Sequence, residues 1–141
     1  MGDAGEYSSG PDRHELEASL MRRRPDKGPL DEDQIWRTIA GISGIMAVGL
    51  GAFGTHMFKP VNPANKVVWE TANLYHLVHS VALLAVPLTK RPRVFGSLLT
   101  FGLVAFSGSC YFAAYYENRS LSLPAPFGGF GFMGAWASLL F

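Results

Sequence analysis

The chain has 141 residues, a formal net charge of +1, 48% hydrophobic residues, 16 glycines and one cysteine. That length allows one domain and a tail, and the charge balance supplies no basic field for nucleic acid. The lone Cys110 excludes an intramolecular disulfide and a cysteine-based metal cage, and in its apolar run it reads as a buried inert thiol.

Two different stretches follow one another. Nine of the eleven acidic residues fall within the first 33 positions; only Glu70 and Glu117 come later. Met1–Asp33 has no apolar core and is not a secretory signal, and its acids set it apart from a mitochondrial presequence despite Arg22-Arg23-Arg24. It reads as a retained polar arm with a short helix around Arg13–Arg24, too polar to order itself by burial. Residues 34–141 read as an all-α, integral-membrane domain.

Four spans are expected there. The first, Ile35–Phe58, is free of Asp, Glu, Lys and Arg from Thr38 to Met57, long enough for about 30 Å of helix. Val67–Leu88 and Val94–Tyr116 follow, and Phe127–Phe141 is the shortest. The links are brief and rich in proline, which makes successive spans antiparallel neighbours in an up-down bundle. Arg22, Arg23, Arg24, Lys27 and Arg37 precede the first span, and Lys90, Arg91 and Arg93 join the second to the third. Only Lys59, Lys66 and Arg119 lie at the opposite ends. The bias puts both termini on the cytoplasmic or matrix side.

Helices in lipid associate through close backbone approach and hydrogen bonds. The first span offers Gly44, Ala47, Gly51 and Thr55 at three- and four-residue steps, and the third offers Gly102, Ala105, Ser109 and Ala113. Both read as packing stripes. In the second span Glu70, Asn73, His76 and His79 form a ladder, with His56 at the same end of the first span. Intramembrane ionisable groups are candidate functional groups. Three readings of this cluster stand side by side: axial haem or metal ligation through residues such as His56 and His79, a proton relay through Glu70, His76 and His79, and a structural cluster. In the last, neutral imidazoles bond to Ser107, Ser109, Tyr111 or backbone carbonyls, and His79 finds its partner on the first or third span. The structural reading assigns no catalytic, cofactor-binding or metal-ligating residue.

"GLGAFGTH" (Gly49–His56), "LYHLVHSVALL" (Leu74–Leu84), "FSGSCYF" (Phe106–Phe112) and "APFGGFGFMGAWASLLF" (Ala125–Phe141), in that order, resemble the transmembrane protein 256 family of small four-span membrane proteins. The resemblance covers Ile35–Phe141. It implies the four-span fold and no biochemical activity. Family members typically have alanine at Thr55, and bacterial ones often have glutamine at His76. A polar leader on such a core implies a non-catalytic accessory subunit of a mitochondrial inner-membrane respiratory complex. Its partners would be other membrane subunits and structural phospholipid, its arm an anchor. The alternative is a small autonomous transporter or proton-conducting protein that uses His56, Glu70, His76 and His79.

Overall fold

Every regular element among the described residues is a helix. The computed structural model describes residues 12–22 and 31–141, which fall in two units, Met1–Asp31 and Glu32–Phe141. In the first unit α1, Arg13–Arg22, is the short helix expected in the arm. Its described side chains are largely exposed, Leu16 included. Arg23, Arg24 and Lys27, part of the orientation argument, lie outside the described residues, as does most of the proposed anchoring arm.

In the second unit α2 spans Glu32–His56, α3 Pro63–Leu84, α4 Pro92–Gly102, α5 Ser109–Tyr115 and α6 Ala125–Ser138. A π-helical segment, Leu103–Gly108, joins α4 to α5, so Pro92–Tyr115 runs as one long helix. α2 begins inside the stretch assigned to the arm: Glu32 and Asp33 form its first turn, where negative charge faces the positive end of the helix dipole. α3 starts four residues before the expected Val67. Asn62 caps it by accepting from the Ala64 N–H at 2.9 Å, and Pro63 occupies the first turn, where no N–H is needed.

Among the described residues two helices, Glu32–His56 and Pro92–Tyr115, are long and apolar enough to cross a membrane. α3 carries too many polar residues to qualify by composition, and α6 has only 14 residues.

The helix pairs keep a clear register. Ser43 meets Ser80, Ala47 meets Asn73, Leu50 meets Trp69 and Gly54 meets Lys66, so α2 and α3 are antiparallel. Tyr75 on Phe106 and Trp69 on Tyr111 set α3 antiparallel to the long third helix. α6 returns along α4 and the π segment, with Gly131 against Phe101 and Gly128 against the Ala105–Phe106 backbone.

Burial is inverted relative to a water-soluble protein. Ser43, His76, His79, Ser80, Ser107 and Ser109 are all buried, whereas Ile45 is 78% exposed, Val104 71% and Phe130 65%. Polar groups that hydrocarbon cannot hydrogen-bond are gathered inside, and an apolar surface too extensive for a monomer in water faces out.

The packing stripes hold in part. Ala47 is fully buried and a Cβ on Gly51 would sit 2.8 Å from Asn73 Oδ1. Gly44 faces open space, and Thr55 is exposed, its hydroxyl bonded to its own helix at Gly51 O. The face that meets α3 is Ala40, Ser43, Ala47, Gly51 and Gly54, and Gly54 lies directly under the Trp69 indole. On the third helix Gly102 lies under Phe132, Ser109 and Ala113 are buried and Ala105 is half-buried.

Candidate functional site

Four hydroxyl and amide side chains and one imidazole form a continuous chain between α2, α3 and α5. Its polarity can be worked out from the hydrogens available. Ser80 donates its one hydroxyl hydrogen to the His76 carbonyl at 2.7 Å. The 2.6 Å contact between Ser43 and Ser80 must therefore have Ser43 as donor. Ser43 then accepts from His76 Nε2 at 3.1 Å, which puts the imidazole proton on Nε2. Nδ1 is left as an acceptor facing the Tyr111 hydroxyl at 3.4 Å. Asn73 Nδ2 donates to that hydroxyl at 3.1 Å and to the Ala47 carbonyl at 2.7 Å.

The result is a chain whose donors run outward from the Asn73 amide and end on a backbone carbonyl at each end, Ala47 on α2 and His76 on α3. Every hydrogen in it has an acceptor, and His76 is held neutral because each ring nitrogen has a fixed role. No carboxylate belongs to the chain.

His79 is part of a different site. Its Nδ1 donates to the Tyr75 carbonyl at 2.8 Å, its Nε2 accepts from Trp136 Nε1 at 3.3 Å, and its ring stacks on Phe132 with centroids 3.6 Å apart. The expected partner on the first or third span is thus replaced by α6. The imidazole is again neutral, with both nitrogens satisfied, and only 5% exposed.

The ladder divides for a geometric reason. Residues three apart on a helix differ by about 300°, a drift of about 60° per step, so nine residues carry Glu70 and His79 to opposite sides. Glu70 is exposed, Asn73 half-buried, His76 faces α2 and α5, and His79 faces α6. His56 is also exposed. The convergence expected of His56, Glu70, His76 and His79 therefore does not form. Among the described residues no group of three or more His, Cys, Asp or Glu side chains could hold a metal ion.

Sequence reasoning named Tyr111 and missed Ser43, Ser80 and Trp136. Ser43 was legible as the polar member of the Ala40, Ser43, Ala47 stripe.

Beside the chain lies a lengthwise groove of about 950 Å³ between α2 and the third helix, open along its side. Tyr115 and Tyr116 stand at one end, Ile39 and Thr100 at the other. Its walls are almost wholly apolar, including Ile42, Met46, Leu103 and Val104, and Ser43, His76, Ser107 and Tyr111 also line it. The groove exists because α2 packs on α3 and leaves the third helix unfilled on that flank. Ser107 is 1% exposed and its hydroxyl has no hydrogen-bond partner.

Charged side chains tie both ends of the helical unit Glu32–Phe141. Lys66 Nζ donates to the Gly54 carbonyl and to Phe58 O at 3.4 Å, closing the end of α2. Glu117, at a left-handed φ of 53°, accepts from the Val61 N–H at 2.6 Å and links two loops. At the other end Arg93 pairs with Glu32 at 3.0 Å.

Residues 50–129 match the family model described as a protein of unknown function, DUF423. A UPF0382 membrane protein of Staphylococcus epidermidis is 34% identical over 113 residues, covering 76% of this chain and 93% of the relative. A UPF0382 membrane protein of Staphylococcus saprophyticus is 34% identical, over 76% of this chain and 94% of its own. The UPF0382 inner membrane protein YgdD of Escherichia coli is 33% identical over 108 residues, 72% of this chain and 82% of that one. No solved structure matches. With more than half its length in the family model and relatives matched over most of their own, the chain belongs to the DUF423/UPF0382 family of membrane proteins of unknown function.

Proposed function

We propose that the chain is a non-catalytic, four-span structural subunit that packs on other membrane subunits and on phospholipid. The observation that carries this reading is the closed polar chain: its ionisable member is neutral, and both ends terminate on backbone carbonyls rather than on water or a carboxylate. Such a network fixes helix register and leaves no group free for acid–base work. The inverted burial supports immersion of α3 and α6 as well as the two longer helices, in an up-down bundle. Asn73, His76, His79 and Ser80 of α3 point inward to partners on other helices or on α3 itself, and α6, at about 21 Å, requires local thinning of the bilayer or shielding by neighbours.

The finer assignment is to the transmembrane protein 256 branch and to a respiratory complex of the mitochondrial inner membrane, with both termini in the matrix. It is supported by the four ordered motifs, the polar leader and the excess of basic residues flanking the proposed matrix ends. The rival, a transporter or proton conductor, requires His56, Glu70, His76 and His79 to act together, and the outward-facing His56 and Glu70 weigh against it.

Native gels of digitonin-solubilised membranes test the assignment. Co-migration with a large oxidoreductase is expected, and a lone small species would sink it. A Soret band in the purified protein would instead restore the haem reading.

A further inference from the structure

We propose that Glu70 anchors a transmembrane helix of a different subunit, one that carries a lysine or arginine at the same depth and lies along the outer face of α2 and α3. The proposal rests on the reading of the chain as a subunit that packs on other membrane subunits, and it names the face and the chemistry of that contact. The starting point is the depth of Glu70. The adjacent Trp69 indole donates to the Leu50 carbonyl at 2.9 Å, which sets Glu70 level with Leu50 on α2. Leu50 is seven residues from Met57 and twelve from Thr38, the ends of the run without Asp, Glu, Lys or Arg. The carboxylate therefore lies about 10 Å from one end of that run and about 18 Å from the other. It is exposed there, and among the described residues the one ion pair is Arg93 with Glu32. Lys66, one turn before Glu70, is committed to the Gly54 and Phe58 carbonyls. An unpaired carboxylate at that depth is costly, and ionisable residues within spans face the interior of a bundle. One that faces outward marks a bundle larger than this chain.

The surroundings of Glu70 suit a helix. The α2 residues that meet α3, Ala40, Ser43, Ala47 and Gly54, have Ile39, Met46 and Leu50 on one flank, where they line the groove towards the third helix. At about 100° per residue, Gly44, Val48 and Thr55 fall on the opposite flank, the side of Glu70. A Cβ on Gly44 would meet nothing within 4 Å, and Val48 and Thr55 are exposed. On the α3 side of the same face Val67, Leu74 and Val81 are exposed. The missing side chain at Gly44 lets another backbone approach closely. Asn73 Oδ1, one turn after Glu70 and over Gly51, is the acceptor left once the amide has donated to Ala47 and Tyr111. Glu70 and Asn73 thus present two acceptors to a donor-rich cation.

Depth and charge select the occupant. Phospholipid cations stay in the headgroup region, and acyl chains carry no charge. A second copy has no Lys or Arg from Thr38 to Met57, Val67 to Leu88, Val94 to Tyr116 or Phe127 to Phe141. Its His76 and His79 are buried with both ring nitrogens engaged. Its His56 is six residues, about 9 Å, shallower than Leu50. The cation comes from a different chain.

Digitonin native gels of membranes that hold the tagged full-length chain test this. Wild type is expected in a larger assembly. Glu70→Gln should lower the assembled fraction about tenfold, because the partner's cation loses its counter-charge. Glu70→Asp should retain most of it, and Gly44→Leu should lower it by filling the face. Circular dichroism melts of the purified variants should match wild type, since neither position contacts the rest of the chain. A benzophenone on Leu74→Cys, in a Cys110→Ser background, should cross-link a spanning peptide that contains Lys or Arg. Full assembly of Glu70→Gln would overturn the proposal and leave the subunit reading intact. A cross-linked spanning peptide without Lys or Arg, or one from a second copy, would do the same. Wild type that migrates alone would overturn both.

Discussion

Gly128→Ala measures how closely α6 sits on the π segment. A Cβ at this position would overlap the Phe106 amide nitrogen and lie 2.8 Å from the Ala105 carbonyl carbon, both backbone atoms that cannot swing aside. Since ordinary contacts lie at about 3.5–4.0 Å, α6 has to retreat by about 1 Å, which forfeits a quarter to a half of the dispersion energy along the contact. Overpacking of this kind costs about 1–3 kcal/mol. The neighbouring Gly129 supplies the control, because a Cβ there meets nothing within 4 Å. Gly129→Ala should be neutral or stabilising by up to about 1 kcal/mol, the helix-propensity gain, reduced where the unfolded state in a micelle is itself helical. The two variants should therefore differ by about 1–4 kcal/mol in thermal or SDS-induced unfolding followed by near-ultraviolet circular dichroism. The retreat would also draw Trp136 away from His79, so Gly128→Ala should shift the tryptophan emission and Gly129→Ala should not. Equal stability of the two variants would refute the close approach on which the helix order rests.

Ser43→Ala and Tyr111→Phe each interrupt the polar chain and should cost about 0.6–1.7 kcal/mol, the range for interhelical hydrogen bonds in membranes. The double variant should lose less than the sum, and additive losses would mean the chain is not coupled. Trp136→Phe removes the donor to His79 Nε2, and the imidazole ¹⁵N shift of that nitrogen should move while the Nδ1–H tautomer persists; an unchanged spectrum would dissolve the pair. Arg93→Gln, at the exposed ion pair with Glu32, should leave thermal stability nearly unchanged, and any difference should vanish in high salt; a salt-independent loss would give the pair a larger role.

The helical class and the two longest apolar helices were legible because composition and hydropathy report directly on what hydrocarbon tolerates. Helix ends were less so. Apolar character starts at Val67, but the α3 backbone starts where Asn62 can cap it, and the acidic first turn of α2 looks like the tail of the arm until dipole chemistry is considered. The π segment left no signal in residue type. Its local supports are tertiary and rotameric: Gly128 pressing on the backbone at Ala105–Phe106, and Ser109 donating to the carbonyls of Ala105 at 2.5 Å and Phe106 at 3.1 Å.

The polar ladder gives the sharper lesson about the site. Spacing by three places side chains near one another along a helix, but each step turns about 60° away, and over three steps that drift exceeds the width of any single helix contact. A run such as Glu70, Asn73, His76, His79 therefore serves several neighbours in turn: surface, α2 with α5, then α6. A helix carrying that many polar groups fails a hydropathy measure, yet here they are the groups that hold three neighbours to it, while its outward residues Leu74, Val78 and Val81 are exposed. The same placement limits chemistry. A ligand set needs its members on one side of the helix at one depth and a relay needs them within hydrogen-bond reach of one another, and three-residue spacing turns them to different sides.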